Sequence, residues 1–397
     1  SVLDLAGSAA QAARLVRALD FGTYANPVAS AWLWLGGGEA CTVGASQLAE
    51  GAAPAEPGTV LAAEGDAITV AFGDGALTLS RLHDLRGVPL SAASCLQRAG
   101  LDTATPGQRL PMLDSRQRAQ LADVVRRAAS LEGLWMRRLR ESEPLDLPLV
   151  DRTRSADSGS FHLQRVTLDE SQLAALQAAA GVGPDTSPAA LVASSWVVLL
   201  GRLADKSRFD LGLDCAAWAA RRQGLEAFLS PQVPLSVALD WNAPLEAVVG
   251  LLRPELARLA EGAGCMADLA SRRPELRSTP AASAWAVSLV VGGPVASKAE
   301  AGLELQIHVA DDGRTITLRH DALRLDGAAV SAYCEAWQAF LSALAAEPRA
   351  PIGRLSLMSA ARADAVLRGW NPSDDPNVAL DRALPAWFDE QAARTPD

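Results

Sequence analysis

The sequence predicts an α+β, multi-domain chain: a small β-barrel at its start, then an α/β sandwich lobe. Three observations carry this. Short apolar runs between residues 30 and 82 are separated by glycine turns, the pattern of a small barrel. Beyond residue 160, strand-like and helix-like runs alternate. The 397 residues are 49% apolar, enough to fill more than one core.

In chain order, residues 9–20 (AAQAARLVRALD) space arginines and apolar residues as a helix does, and Phe21-Gly22 and Asn26-Pro27 stop it. Strands follow at 30–35, 40–43, 58–62, 67–72 and 76–82. Glu64-Gly65-Asp66 and Gly73-Asp74-Gly75 are hairpin turns, because such residues accept positive φ at little cost. Residues 91–113, rich in Ser, Ala, Gly and Pro, read as a connector that includes Thr103-Ala-Thr-Pro-Gly107. Residues 115–140 form a helix capped by Asp114 or Ser115, with Leu121, Val124, Val125, Ala128, Leu131, Trp135 and Leu139 on one stripe. A strand at 166–169 leads to a helix at 173–180, and Ser187-Pro188 opens a buried helix through Trp196 to Leu203. Strands are expected at 209–213, 285–291, 303–309 and 315–320. A helix at 328–345 closes the lobe, with Tyr333, Trp337 and Leu341 inward.

Forty-six acidic residues against 36 basic ones give a net charge of −10. That argues against holding nucleic acid or an anionic membrane by bulk charge. Cys41, Cys95, Cys215, Cys265 and Cys334 show no CxxC spacing, hence neither a zinc pattern nor a disulfide framework. No leader pattern opens the sequence and no apolar run is long enough to cross a bilayer, so a cytoplasmic location is expected.

Arg14-Leu-Val-Arg-Ala-Leu19, Asn26-Pro27, Pro57-Gly-Thr-Val-Leu61 and the run from Ile68 to Leu79 resemble the C-terminal subdomain of the formyltransferase family, an OB-like barrel. In that family the catalytic Asn, His and Asp lie in a separate domain with a His-x-Ser-Leu-Leu-Pro motif, which this sequence does not contain. In the branch that formylates transfer RNA the barrel helps hold nucleic acid. Nine acids against five arginines in residues 1–100 oppose that role here.

From about Leu131 the chain resembles a condensation domain of nonribosomal peptide synthetases, entered in mid-fold. Leu134-Trp-Met-Arg-Arg-Leu139, then Leu147-Pro148 and Asp151-Arg152, match the crossing between its two lobes. The stretch 212–221 stands where that family has Gly-x-Pro-x-x-x-Arg, and 229–239 where its tunnel floor leads into a strand. The implied fold is the C-terminal, chloramphenicol acetyltransferase-like lobe, without its N-terminal partner lobe. Arg354-Leu-Ser-Leu-Met358 to Trp370-Asn371 resembles the linker after such a domain, and 384–397 resembles the opening of an adenylation domain. The implied division is a barrel at 1–92, a connector and helix at 93–130, the condensation lobe at 131–355, and the linker with the start of an adenylation domain at 356–397.

A full condensation domain carries His-His-x-x-x-Asp-Gly on its N-terminal lobe, where the second His acts on the attacking amine. One string imitates it: His308-Val-Ala-Asp-Asp312-Gly313, with Ile307 in place of the first His. Its flanks alternate as strands, so Asp311-Asp312-Gly313 reads as a hairpin turn and His308 as a sheet residue. His320-Asp321, followed by Asp326-Gly327, has the wrong spacing, and Asp326 reads as a helix N-cap. No catalytic residue is assigned; His308, Asp312 and His320 are the candidates. Arg221-Arg222-Gln223 is a basic group that either meets a carrier protein's acidic helix or phosphopantetheine phosphate, or is a solvated loop. Gly36-Gly37-Gly38 lacks the Lys-Ser/Thr of a phosphate loop, and the tryptophans read as core.

Three functional expectations follow from the resemblances. The first is a non-catalytic interface joining a formyltransferase-like domain to an adenylation domain within a synthetase. The second is condensation-like acyl or peptidyl transfer on carrier-bound substrates, with His308 or His320 as base. The third is an accessory part of an N-formylating initiation module, with formyl-tetrahydrofolate as donor if an upstream catalytic core exists. No cofactor or metal is expected within these residues. The implied partners are the adenylation and carrier domains of the same synthetase and the carrier's phosphopantetheine arm, not nucleic acid or membrane.

Overall fold

The computed structural model describes the chain apart from residues 23, 103–106, 155–159, 182–185, 263, 277–278, 280–284, 296–301, 370–382 and 396–397. Residues 103–106 of the expected connector, Trp370, Asn371 and Asp397 therefore lie outside the described residues.

Two hydrophobic cores organise the rest. The first belongs to residues 1–110. Helix α1 (Ala9–Leu19) buries Ala9, Ala12, Ala13 and Val16. Strands β1 (Ala31–Gly36), β2 (Glu39–Leu48), β3 (Val60–Glu64), β4 (Ala67–Phe72) and β5 (Gly75–His83) form an antiparallel sheet in the order β1-β2-β5-β4-β3. Ile68 and Val70 of β4 and Leu77 and Leu79 of β5 are fully buried.

The expected small OB-like barrel is an open sheet, since β1 and β3 do not pair with each other. Both outer strands have found other partners. Residues 1–3 run beside β1, with the Leu3 N–H on the Trp32 carbonyl and the Trp32 N–H on the Ser1 carbonyl, both at 2.8 Å. Residues 107–110 take the free side of β3, where the Val60 N–H donates to the Gln108 carbonyl at 2.8 Å. With both edges satisfied, little drives them to meet. Helix α2 (Ala92–Arg98), capped by Ser91, buries Ala92, Cys95 and Leu96 in the same core. The connector expected from 91 thus begins as a helix of the first unit, and Leu110 returns to its core.

Helix α3 (Ser115–Arg140) starts on an Asp114–Gln117 capping box and joins the second core through Leu121, Val124, Ala128, Trp135 and Leu139. There follow β6 (Phe161–Thr167), α4 (Glu170–Ala179), α5 (Pro188–Leu203), β7 (Arg208–Cys215), α6 (Ala216–Arg222) and β8 (Val233–Ala238). Then come α7 (Leu245–Ala260), α8 (Leu269–Arg272), β9 (Val287–Val291), β10 (Leu305–Val309), β11 (Thr315–Asp321) and α9 (Gly327–Ala346). The sheet order is β6-β11-β10-β9-β7-β8, with β7, β9 and β10 parallel and the outer pairings antiparallel. This is the expected α/β lobe.

Helix α5 is apolar nearly all round and buried from Ala189 to Gly201, as a central helix must be. Trp337 of α9 stacks on its Trp196 with ring centroids 4.8 Å apart. Asp326 caps α9 by accepting the Ala329 N–H at 2.7 Å. Ile352 and Leu355 are buried on the lobe, and Arg202 donates to the Ile352 carbonyl at 3.1 Å. Helices α10 (Ala360–Asp364) and α11 (Leu384–Arg394) come last, and Phe388 of α11 is 76% exposed. Among the described residues no helix is long and apolar enough to cross a membrane.

Candidate functional site at the junction of the two units

Contacts between the first unit and the lobe include a stacked aromatic pair, a buried arginine and the more exposed Asp4–Arg118 ion pair. Trp32 of β1 leaves its own sheet's core and stacks on Phe228 of the lobe, with centroids 5.1 Å apart. Beside it lies Arg272 of α8, only 4% exposed. Its guanidinium meets Glu132 of α3 at 2.9 Å, Asp268 at 3.1 Å and the Pro27 carbonyl of the first unit at 2.7 Å. Arg273 adds a second hold on Glu132 at 2.8 Å. Burial alone would raise Glu132, but the two guanidiniums outweigh it and keep its carboxyl below the ordinary range. Asp268 is more deeply enclosed, and burial raises it against the pull of Arg272.

A second buried ion pair lies at the end of β7, where Arg222 meets Asp214 at 2.6 Å and lies over the Trp218 ring. Burial pushes Asp214 up to about 6 despite Arg222. A raised folded value means that folding favours the protonated carboxyl. Its contribution to stability is therefore complete below about pH 4 and is lost as pH rises to about 6. Denaturant unfolding of the chain and of Asp214→Asn between pH 4 and 7 should show the wild-type advantage shrinking over that range. A constant difference would mean that Asp214 is ionised throughout.

The histidine candidates do not come together. His308 is in the middle of the sheet on β10, 5% exposed, with Nε2 donating to the Gly293 carbonyl at 2.8 Å. Asp312 accepts the Arg314 and Thr315 N–H groups at 2.8 and 3.3 Å, and Gly313 has φ +68°. The string that imitates a catalytic motif is a strand and its turn. His320 is buried on β11 with Nδ1 donating to the Leu325 carbonyl at 2.7 Å. Register pairs His320 with Leu305 and His308 with Thr317, so the two imidazoles point to opposite faces.

The Arg221-Arg222-Gln223 group is not a surface patch either. Helix α6 turns Arg222 inward onto Asp214, while Arg221 donates to the Ala260 carbonyl at 2.7 Å. Gln223 alone of the three is exposed. Among the described residues no group of three or more His, Cys, Asp or Glu side chains could hold a metal ion. The cluster of Glu132, Asp268, Arg272 and Arg273 has no counterpart among the sequence candidates. Its only local sign is the four-residue spacing of Asp268 and Arg272.

A family model described as formyl transferase, C-terminal domain, matches residues 1–100. No curated protein matches the chain. Among solved structures, the nonribosomal peptide synthetase FmoA3 bound to α-methyl-L-serine-AMP aligns at 18% identity and TM-score 0.50, over 82% of this chain and 39% of that one. The X-domain in complex with OxyB, from teicoplanin biosynthesis, aligns at 19% identity and TM-score 0.46, over 73% of this chain and 72% of that one. The EpoB cyclization-docking bidomain from Sorangium cellulosum gives 17% and 0.43, over 72% and 63%. Residues 1–100 thus match the model of the formyl transferase C-terminal domain, and the chain shares its fold with part of FmoA3. The chain spans about two-fifths of the FmoA3 chain whose fold it shares.

Proposed function

We propose that the chain is a non-catalytic interface within a nonribosomal peptide synthetase, holding a formyltransferase-like unit on one side and an adenylation domain on the other. The division at 92, 130 and 355 belongs to this proposal, with the first boundary softened by α2. One observation carries it: the lobe's two candidate bases are spent inside its sheet, while its junction with the first unit is locked by Arg272 and Trp32. A general base must come within hydrogen-bond reach of a carrier-bound amine. His308 and His320 instead hold backbone carbonyls. At the other end, Trp387 and Phe388 of α11 leave apolar surface that an adenylation domain would cover. The carrier domain and its phosphopantetheine arm would then pass by without reacting here.

The test is His308→Gln in the parent synthetase, since a glutamine amide can still donate toward the Gly293 carbonyl. Product formation should stay within about twofold of the parent rate. A catalytic base contributes about 100-fold or more. A loss of that size with folding intact would overturn the interface reading in favour of acyl transfer. The formyl transferase match over 1–100 favours a second reading, an accessory part of an N-formylating module. In it, formyl-tetrahydrofolate would bind a separate catalytic domain.

A further inference from the structure

A cavity of about 430 Å³ lies between the two units. Its size suits a small molecule. Trp32 and Trp34 of β1, Leu121 and Val125 of α3, and Met266 give it apolar walls. Its ionisable lining holds the carboxylates of Asp4, Glu132 and Asp268, the guanidiniums of Arg118 and Arg272, and the Ser1 amine, which burial lowers to about 6, so near neutral pH the carboxylates are in excess.

Four buried polar atoms on lining residues have no hydrogen-bond partner; two of them, Arg272 Nε and Asp268 Oδ1, face each other as an ion pair at 3.1 Å, and two are left without even that. One is Oδ2 of Asp268, whose side chain is 2% exposed. The other is the indole Nε1 of Trp32, on a residue 3% exposed. Buried polar groups are rarely left so, because an unmade bond in a dry site is costly. Arg272 does not relieve Asp268 Oδ2, being engaged by Glu132, the Pro27 carbonyl and Oδ1 of Asp268. The Ser1 nitrogen, also in the lining, donates to the Ser30 carbonyl at 2.7 Å. Apart from the Arg272 Nε–Asp268 Oδ1 ion pair, what is unsatisfied is one carboxylate oxygen and one neutral donor, between apolar walls.

We propose that this cavity binds an α-amino amide or ester with an apolar side chain, its ammonium on Asp268 and its carbonyl oxygen on the Trp32 N–H. The side chain lies against the tryptophan and aliphatic walls. A free amino acid binds less well, because its carboxylate adds negative charge to an acidic lining. The proposal stands apart from the synthetase reading, since it uses only the junction.

Calorimetric titration of the intact chain tests it with L-phenylalaninamide, L-leucinamide, L-phenylalanine and 3-phenylpropionamide, which lacks the amine. At least one amino amide should bind. 3-Phenylpropionamide should bind about tenfold more weakly or worse, the usual loss for a buried charge-assisted hydrogen bond. Asp268→Asn should cause a similar loss. Because that change also touches the Arg272 pair, Val125→Trp provides a second variant that fills the cavity and leaves the polar cluster in place. It should abolish binding. Equal affinity for the amide with and without the amine overturns the proposal. So does binding that survives Val125→Trp, or an absence of binding by both amino amides.

Discussion

Replacing Arg272 by alanine is expected to destabilise the chain by about 3–5 kcal/mol, the usual loss when one member of a buried ion pair is removed. The substitution takes the ion-pair partner from the enclosed Asp268 carboxylate, and a buried carboxylate without such a partner is the costly outcome. Glu132 suffers less, because Arg273 still reaches it at 2.8 Å. The same guanidinium is the link to the Pro27 carbonyl, so its loss also loosens the first unit from the lobe. Urea unfolding should show a lower midpoint and a transition that broadens or splits. Amide exchange should rise first in residues 24–35, which flank that link. Arg272→Lys should recover only part of the loss, because a single ammonium cannot meet three acceptors from a fixed fork. A sharp transition with an unchanged midpoint would mean that Trp32, the apolar contacts and the Asp4–Arg118 pair hold the junction without Arg272.

Local signals explain which parts of this fold are legible in the sequence. The expected strand at 67–72 is β4, and the expected helices at 115–140 and 188–203 are α3 and α5. Each has its own punctuation: Gly65 and Gly73 around β4, Asp114 before α3, Ser187-Pro188 before α5. Helix α7 has no counterpart among the expected elements. Gly250 and Pro254 interrupt its pattern, yet Leu245, Val248, Val249 and Leu252 bury one face and hold the helix together. The open sheet was equally hidden. Whether β1 meets β3 depends on where residues 1–3 and 107–110 return, and nothing within either strand says so.

The same division applies to the site. The turn at Asp311-Asp312-Gly313 is local, so the false motif around His308 can be read correctly from its flanks. Arg222 is harder. Its partner Asp214 is eight residues earlier, on the strand before a strand-to-helix turn, so no single element's periodicity relates the two. The junction cluster is harder still, since Glu132 and Arg272 are 140 residues apart and meet only because α3 crosses the lobe. A run of arginines in sequence says little about charge at the surface when acids from distant elements reach them first.

The second large effect is expected at Trp337, and it should fall on the lobe alone. Trp337→Ala removes a fully buried ring that stacks on Trp196 and donates from Nε1 to Ser195 Oγ at 3.0 Å. Such truncations cost about 3–5 kcal/mol through lost contacts and the void left behind. The polar part of the loss is small, because Ser195 keeps its own bond to the Val192 carbonyl at 2.6 Å. Trp337→Phe should therefore restore much of the stability without restoring the hydrogen bond. No residue of α9 belongs to the first core, so residues 1–110 should keep their exchange protection while the lobe loosens. Trp337 and Arg272 share no partner, and their effects should add to within about 0.5 kcal/mol. The two substitutions then separate two kinds of cohesion: Trp337→Ala weakens one unit, Arg272→Ala the bond between units. If Trp337→Ala instead exposed both units together, the junction would be stronger than the first unit's own core, and the two units would fold as a single body.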